Sequence, residues 1–86
     1  HQKRLTFRQE IDVRGFRANE AVDAVAYFID EALQLGVSGV RILHGTGTGA
    51  LRESIRSYLS GVRGVQHFHD EDVRFGGAGI TVVEME

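Results

Sequence analysis

The sequence predicts an α/β fold: a two-layer βαβαββ sandwich in which two helices pack on a four-stranded mixed sheet. Apolar residues alternate with polar ones in the short segments that we assign to strands, and they recur at helical spacing in two longer segments. A strand, a helix and a second strand follow one another closely at the start of the chain. This order is typical of two parallel strands joined by a right-handed crossover.

Composition limits the class of protein. The chain has 86 residues, no Cys and a net charge of −2, which indicates one small domain with a modest core. The lack of Cys excludes a disulfide framework and a thiolate metal site, and it fits a reducing, cytoplasmic compartment. No apolar run is long enough to cross a membrane. We assign residues 1–8 to a linker, with His1 as a candidate tag remnant, and residues 9–86 to the domain.

The first half of the chain contains one strand and one long helix. Alternation over Leu5–Arg14 predicts the first strand, whose start stays open as far as Gln9. The first helix is predicted over Ala18–Leu35, capped near Asn19, with Gly36 just beyond its end. Its apolar stripe is formed by Val22, Val25, Ala26, Ile29 and Leu33.

The second half continues the pattern. Strands are predicted over Val40–Leu43, Val65–His69 and Ile80–Met85, and a helix over Thr48–Ser60. The last strand is the most apolar, so we place it inside the sheet. Period-two alternation puts Val65 on the same face as two histidines.

One cluster in this half has two interpretations. A metal site would use the side chains of His67, His69, Asp70 and Asp72. A solvated acidic loop after a polar strand face is the favoured interpretation.

The centre of the chain is a glycine-rich loop. His44 follows the second strand, and every second residue from Gly45 to Gly49 is Gly. A loop of this kind before a helix leaves backbone N–H groups free to bind an anion, and the helix dipole reinforces them. Thr46 and Thr48 can cap the helix or donate to a phosphate oxygen. A glycine-rich connection with an exposed His is the alternative. No Gly-Lys-Ser/Thr follows, so this is not a Walker A loop.

Parallel pairing brings further polar residues to this loop. The carboxyl ends of the first two strands should lie at one edge of the sheet, where ligands bind in such folds. Asp12, Arg14 and His44 would therefore come together, although a simple surface ion pair between Asp12 and Arg14 is the favoured interpretation from their spacing alone. Arg52 and Arg56 are four residues apart on the following helix and could contact a nucleic-acid phosphate.

Three motifs resemble those of Smr domains. Ile11-Asp12-Val13-Arg14-Gly15 resembles the Leu-Asp-Leu-Arg/His-Gly motif of that family. The segment His44–Arg52 resembles its His-Gly-x-Gly motif with the Thr-Gly-x-Leu-Arg continuation. Gly76–Val83 is similar to its closing Gly-Gly-x-Gly-x-Thr strand. The resemblance covers residues 9–86 and is greatest to the C-terminal Smr domain of bacterial MutS2 proteins, of the Bacteroidetes type.

The resemblance implies a fold similar to the C-terminal domain of translation initiation factor three. It implies a nicking endonuclease or nucleic-acid-binding activity that serves recombination suppression and repair beside the ATPase domains of a longer protein. In some relatives it implies RNA cleavage and ribosome rescue. One position departs from the family, because Thr46 stands where many relatives have Lys or Arg. Arg52 and Arg56 are left to compensate for that phosphate contact.

We therefore predict a domain that binds the backbone of DNA or RNA and cuts it. His44 is the candidate for proton transfer, so His44→Ala is expected to abolish cleavage and largely preserve binding. Arg14, Arg52 and the amides of Gly45–Gly49 would stabilise charge, and Asp12 would orient His44 or hold a divalent ion. Use of Mg²⁺ or Mn²⁺ stays open, since only one carboxylate is convincing.

Two alternatives belong to other classes of protein. The first is a nucleic-acid- or ribosome-docking module without catalysis, in which His44 is only a hydrogen-bond donor. The second is an interaction domain, which the glycine loop argues against.

Overall fold

The computed structural model describes residues 7–86 and shows two helices and a four-stranded mixed sheet. The strands are β1 (Glu10–Asp12), β2 (Gly39–Leu43), β3 (Val65–Asp70) and β4 (Ile80–Met85), and the helices are α1 (Ala18–Gln34) and α2 (Ala50–Leu59). The strand order is β1-β2-β4-β3. β1 is parallel to β2, and β4 is antiparallel to both of its neighbours. The predicted α/β architecture is confirmed, including the central place of β4.

β1 is shorter than the predicted Leu5–Arg14. It pairs only over Glu10–Asp12, and the ladder closes with a hydrogen bond from the Val13 N–H to the Leu43 carbonyl at 2.8 Å. The Arg41 N–H of the partner strand also donates to the Gln9 carbonyl at 2.9 Å, so the pairing begins at the late limit that the sequence left open. Leu5 lies outside the described residues. Phe7, which we assigned to the linker, stacks on Phe28 of α1 with ring centroids 5.3 Å apart.

α1 begins and ends close to the predicted residues. The residue before its first turn is Arg17, one or two positions earlier than the predicted cap, and its N–H donates to Glu20 Oε1 at 3.0 Å. Gly36 has φ +71° and follows the helix as predicted. The buried positions are Ala21, Val25, Ile29 and Ala32. Val25 and Ile29 belong to the predicted stripe, but Ala21 and Ala32 do not, so the buried face is rotated from the predicted one.

A β-bulge changes the faces of β3. The register shifts between Val65 and His67, because one extra residue on this edge strand has no partner. Val65 and Phe68 both pack against the core, whereas His67 and His69 are exposed. The prediction that Val65 shares the histidine face is therefore wrong. No helix within residues 7–86 is long and apolar enough to cross a membrane.

Candidate functional site

A cleft of about 340 Å³ lies where the carboxyl ends of β1 and β2 meet. One wall is the turn after β1, which contributes Gly15, Phe16 and Ala18, and the other is the segment from His44 to Arg52. The expected meeting of the two parallel strand ends is therefore observed. The glycine loop and the first turn of α2 together form this second wall.

Gly45 holds the start of the loop against Gly79, the residue before β4. The carbonyl of Gly79 accepts hydrogen bonds from the N–H groups of His44 at 3.1 Å and Gly45 at 2.9 Å. A Cβ atom on Gly79 would lie 3.6 Å from Gly45 Cα. Gly45 itself has φ +80°, a backbone conformation that L side chains rarely adopt. Two glycine backbones thus approach closely and fix the start of the loop.

The middle of the loop carries the free N–H groups. The N–H of Gly49 donates to the Thr46 carbonyl at 2.9 Å, and that of Ala50 donates to Thr48 Oγ1 at 3.3 Å. Gly49, with φ +85°, is the N-cap residue of α2, and the Thr48 hydroxyl caps the first helical N–H, that of Ala50. Within residues 7–86, the N–H groups without a hydrogen bond in the loop are those of Thr46, Gly47 and Thr48. Of the Gly45–Gly49 amides predicted to bind an anion, these three N–H groups are therefore the ones available.

His44 is buried rather than exposed at the mouth of the loop. Its residue exposure is 4%. The ring Nδ1 lies 2.7 Å from the Gly45 carbonyl, and Nε2 lies 2.8 Å from Thr81 Oγ1. A carbonyl only accepts, so Nδ1 carries the proton and donates, and in the neutral ring Nε2 accepts from the Thr81 hydroxyl. Burial lowers the pKa of His44 below its ordinary 6.5, so the ring is neutral near pH 7.

Thr81 links His44 to the arginines of α2. Its side chain is fully buried, and its Oγ1 also accepts a hydrogen bond from Arg56 Nε at 3.1 Å. The guanidinium of Arg56 lies 5.5 Å from the centre of the Phe68 ring. One chain of hydrogen bonds therefore runs from Arg56 through Thr81 and His44 to the Gly45 carbonyl.

Arg52 and Arg56 are held by an acidic side chain that the sequence analysis did not assign to them. Nη2 of Arg52 donates to Asp70 Oδ1 at 2.9 Å, and Nη2 of Arg56 donates to the same oxygen at 2.6 Å. The two arginine side chains are 36% and 20% exposed. Their predicted places as neighbours on α2 are observed, but they are half-buried, paired residues rather than free surface charges.

Asp12 and Arg14 form an exposed ion pair at the end of β1. Arg14 Nε and Nη2 donate to the two carboxylate oxygens at 2.9 and 2.6 Å, and hydrogen bonds from Arg14 lower the pKa of Asp12 to about 2. A Cβ on Gly45 would lie 3.7 Å from Arg14 Cγ, so the arginine stem packs beside the loop. Asp12 does not orient His44 here, because Gly45 and Thr81 are the partners of its ring.

The donor set at Asp12 does not fit a divalent cation. Both of its oxygens already accept hydrogen bonds from Arg14, and a cation there would have to displace a guanidinium. Within residues 7–86, no three His, Cys, Asp or Glu side chains form a group that could hold a metal ion.

The residues proposed for the alternative metal cluster are separated by other pairings. His67 and His69 both approach the Glu84 carboxylate, at 2.8 and 3.0 Å. Asp70 binds the α2 arginines, and Asp72 accepts from Arg74 Nη2 at 3.0 Å. The acidic loop is therefore an exposed series of ion pairs, which agrees with the favoured solvated loop and adds partners that the sequence did not predict.

Sequence reasoning did not assign three residues to this site. Thr81 lies in an apolar strand, Asp70 begins an acidic run, and Phe16 is an exposed aromatic that lines the cleft. Thr81 was visible only as part of the closing motif. Asp70 could have been linked to the site by its position at the end of a strand, since strand ends collect at one edge of the sheet.

Comparisons with known proteins identify the family of the chain. The family model described as Smr domain matches residues 11–86. The chain is 42% identical over 77 residues to the endonuclease MutS2 of Geobacillus sp. (strain WCH70), and 43% identical to that of Bacillus cytotoxicus. Each alignment covers 90% of this chain and 10% of the relative, so the chain spans about a tenth of the length of these proteins.

Solved structures show the same fold. The crystal structure of the Smr domain of Thermus thermophilus MutS2 superposes with a TM-score of 0.88 at 44% identity and covers 91% of this chain and 98% of that one. YdaL from Escherichia coli, a stand-alone small MutS-related protein, has a TM-score of 0.85 at 24% identity, covering 91% and 64%. The assignment to the Bacteroidetes type stays a prediction. The chain belongs to the Smr domain family.

Proposed function

We propose that the chain is a nicking endonuclease domain that binds nucleic-acid backbone and hydrolyses phosphodiester bonds, as part of a larger cytoplasmic ATPase that suppresses recombination and serves DNA repair. One observation carries the proposal: Thr46, Gly47 and Thr48, whose N–H groups have no hydrogen bond among the described residues, line the same cleft as Arg52. The naming of the MutS2 relatives as endonucleases supports it.

The cleft is suited to a phosphate rather than to a base sequence. Consecutive backbone N–H groups at a helix N-terminus donate to non-bridging phosphate oxygens, and the helix dipole favours the negative charge. Arg52 adds a guanidinium at the wall. Contacts of this type position a nucleic acid without reading bases, so binding should be insensitive to sequence and weaken steeply with salt.

His44 would serve as a base in hydrolysis. A neutral ring with a lowered pKa accepts a proton more readily than it supplies one near pH 7. Its Nε2 lone pair is engaged by the Thr81 hydroxyl, so this hydrogen bond must open before Nε2 can take a proton from water or from a ribose 2′-OH. The free amides and Arg52 would stabilise the charge that develops on the phosphorane.

Arg14 and Asp12 would act at the rim of the cleft. Arg14 packs beside Gly45 and is 61% exposed, so it can reach a neighbouring phosphate while Asp12 holds it in place. A requirement for Mg²⁺ or Mn²⁺ is best tested by the reaction itself, since a metal would supply a Lewis acid and an activated water.

A second candidate function is a docking module without catalysis, which binds nucleic-acid backbone or a ribosome. The burial of His44 and the engagement of both of its ring nitrogens favour this candidate. An RNA endonuclease in ribosome rescue is a variant of the first candidate, since RNA carries its own nucleophile.

Incubation with supercoiled plasmid and with single-stranded RNA separates the candidates. Each reaction is run with EDTA, Mg²⁺ or Mn²⁺, and binding is measured on the same preparations. We expect nicked plasmid from the wild type and weaker binding by Arg52→Ala. Arg63→Ala is the matched control, because Arg63 lies beyond α2 and is not among the described residues that line the cleft. Binding without cleavage of either substrate under all three conditions would favour the docking module.

A further inference from the structure

The carboxylate of Asp70 lies in a fork formed by two arginine side chains of α2. Its Oδ1 accepts hydrogen bonds from Arg52 Nη2 at 2.9 Å and from Arg56 Nη2 at 2.6 Å. Oδ2 accepts none from residues 7–86. The fork therefore holds a single anionic oxygen between two guanidinium groups. The Asp70 side chain is 43% exposed, so a solute can reach it.

A phosphate oxygen would occupy the same place between these two arginines. Carboxylate and phosphate oxygens are both bound by charge-assisted N–H donors at similar distances. Arg52 also lines the cleft that contains the free loop amides, so a ligand phosphate in the cleft meets one arm of the fork. Arg52 Nε is buried and has no hydrogen-bond partner among the described residues. Asp70 therefore does not saturate this guanidinium.

We infer that Asp70 is an internal phosphate mimic, which occupies the arginine fork in the free protein and is displaced by a nucleic-acid phosphate on binding. The inference rests on the proposed function, because it assigns Arg52 and Arg56 to the same bound backbone as the loop amides. Asp70 then weakens binding, since its carboxylate competes with the ligand for the two Nη2 donors.

The exchange can proceed without disturbing His44. Nε of Arg56 donates to Thr81 Oγ1 at 3.1 Å, and the guanidinium also lies over the Phe68 ring. Both contacts use parts of Arg56 other than the Nη2 donor that Asp70 occupies. The guanidinium stays in place when Nη2 changes its partner, and so does the hydrogen bond between Thr81 and His44. Asp70 should therefore affect affinity and leave the site beneath it unchanged.

A matched control exists two residues further along the chain. Asp72 accepts hydrogen bonds from Arg74 Nε and Nη2, both at 3.0 Å. Arg74 is 79% exposed and is not among the described residues that line the cleft. Asp72→Asn makes the same change of charge two residues from Asp70 and also releases an arginine, but away from the cleft.

The test measures binding of a fluorescein-labelled single-stranded oligonucleotide and of a duplex at several NaCl concentrations. Asp70→Asn should bind roughly tenfold tighter than the wild type, the scale of one charge-assisted hydrogen bond. The slope of log K against log salt should stay near that of the wild type, because a ligand phosphate occupies the fork in both complexes. Asp72→Asn should remain near the wild type. Asp70→Ser is a second variant that cannot bridge the fork, and thermal melts check that every variant is folded.

Each other result overturns the inference. An equal increase in affinity for Asp70→Asn and Asp72→Asn would mean that the effect comes from net charge alone. Weaker binding by both Asp70 variants would mean that Asp70 positions the arginines for the ligand instead of competing with it. Wild-type affinity in both Asp70 variants, with clear salt-dependent binding, would refute the mimic and leave the proposed function standing. No binding by any of the proteins would refute both.

Discussion

The replacement of His44 by alanine separates its structural role from its chemical one. The ring is 4% exposed and forms one hydrogen bond through each nitrogen. Alanine would leave a cavity, and it would remove a partner from the Gly45 carbonyl and from the buried Thr81 hydroxyl. We expect the free energy of unfolding to fall by about 2–4 kcal/mol. The total for a domain of this size is roughly 4–13 kcal/mol, so this is a large loss.

Two further substitutions resolve the contribution of each ring nitrogen. His44→Asn can place an amide N–H near the position of Nδ1 and keep the bond to Gly45. His44→Gln can place an amide oxygen near Nε2 and keep the bond from Thr81. Each should recover part of the stability lost in His44→Ala, as measured by urea unfolding followed by circular dichroism. Neither amide titrates near pH 7, so both variants should nick plasmid at least ~100-fold more slowly than the wild type if His44 transfers a proton.

The sequence and the structure predict different outcomes for His44→Ala. From the sequence alone the substitution was expected to abolish cleavage and largely preserve nucleic-acid binding. The buried ring instead predicts a melting temperature lower by at least ~8 °C. A loss of less than ~0.5 kcal/mol would refute the argument that the two hydrogen bonds hold the loop, since that is the scatter of ordinary surface substitutions. Wild-type nicking by a folded His44→Gln would refute the role in proton transfer.

Three further predictions follow from the same contacts. Burial lowers the pKa of His44 below its ordinary 6.5, so the folded protein binds this proton less readily than the unfolded chain does. The free energy of unfolding should therefore be highest above pH 6.5 and should fall as the pH drops through the lowered pKa. Urea titrations at several pH values should show a weaker dependence of this free energy on pH for His44→Gln. Thr81→Val removes a fully buried hydroxyl and should lower the free energy of unfolding by about 1–3 kcal/mol. Thr81→Ser retains the hydroxyl and should largely keep the wild-type stability. Equal stability of the Val and Ser variants would contradict the role of that hydroxyl. Gly76→Ala should destabilise the protein by about 1–3 kcal/mol in thermal melts, because Gly76 has φ +129° and a Cβ atom there would collide with Ile80 Cδ1. Gly61→Ala should destabilise it much less, because the nearest atom to a Cβ at Gly61 is 3.8 Å away.

The sequence alone determined the fold class and the location of the site. Periodicity is a local property of the chain, so the strand over Ile80–Met85 and the helix starting at Ala18 were predicted at their observed starts. The apolar character of the last strand placed it in the centre of the sheet, because a central strand is covered on both sides by neighbours. The rule for parallel strand ends brought the glycine loop and the turn after β1 to one edge, where the cleft lies.

Tertiary structure alone decided what each side chain in the site does. His44 looked like an exposed group at the mouth of a loop, but β4 covers it and supplies Thr81 as its partner from 37 residues away. Arg52 and Arg56 looked like free cations, but β3 ends at Asp70 and its carboxylate enters their fork. The bulge that turns Val65 into the core depends on the register of β3 with β4. Contacts of this kind join residues that are distant in sequence, and they arise from strand order and register, which no local pattern encodes.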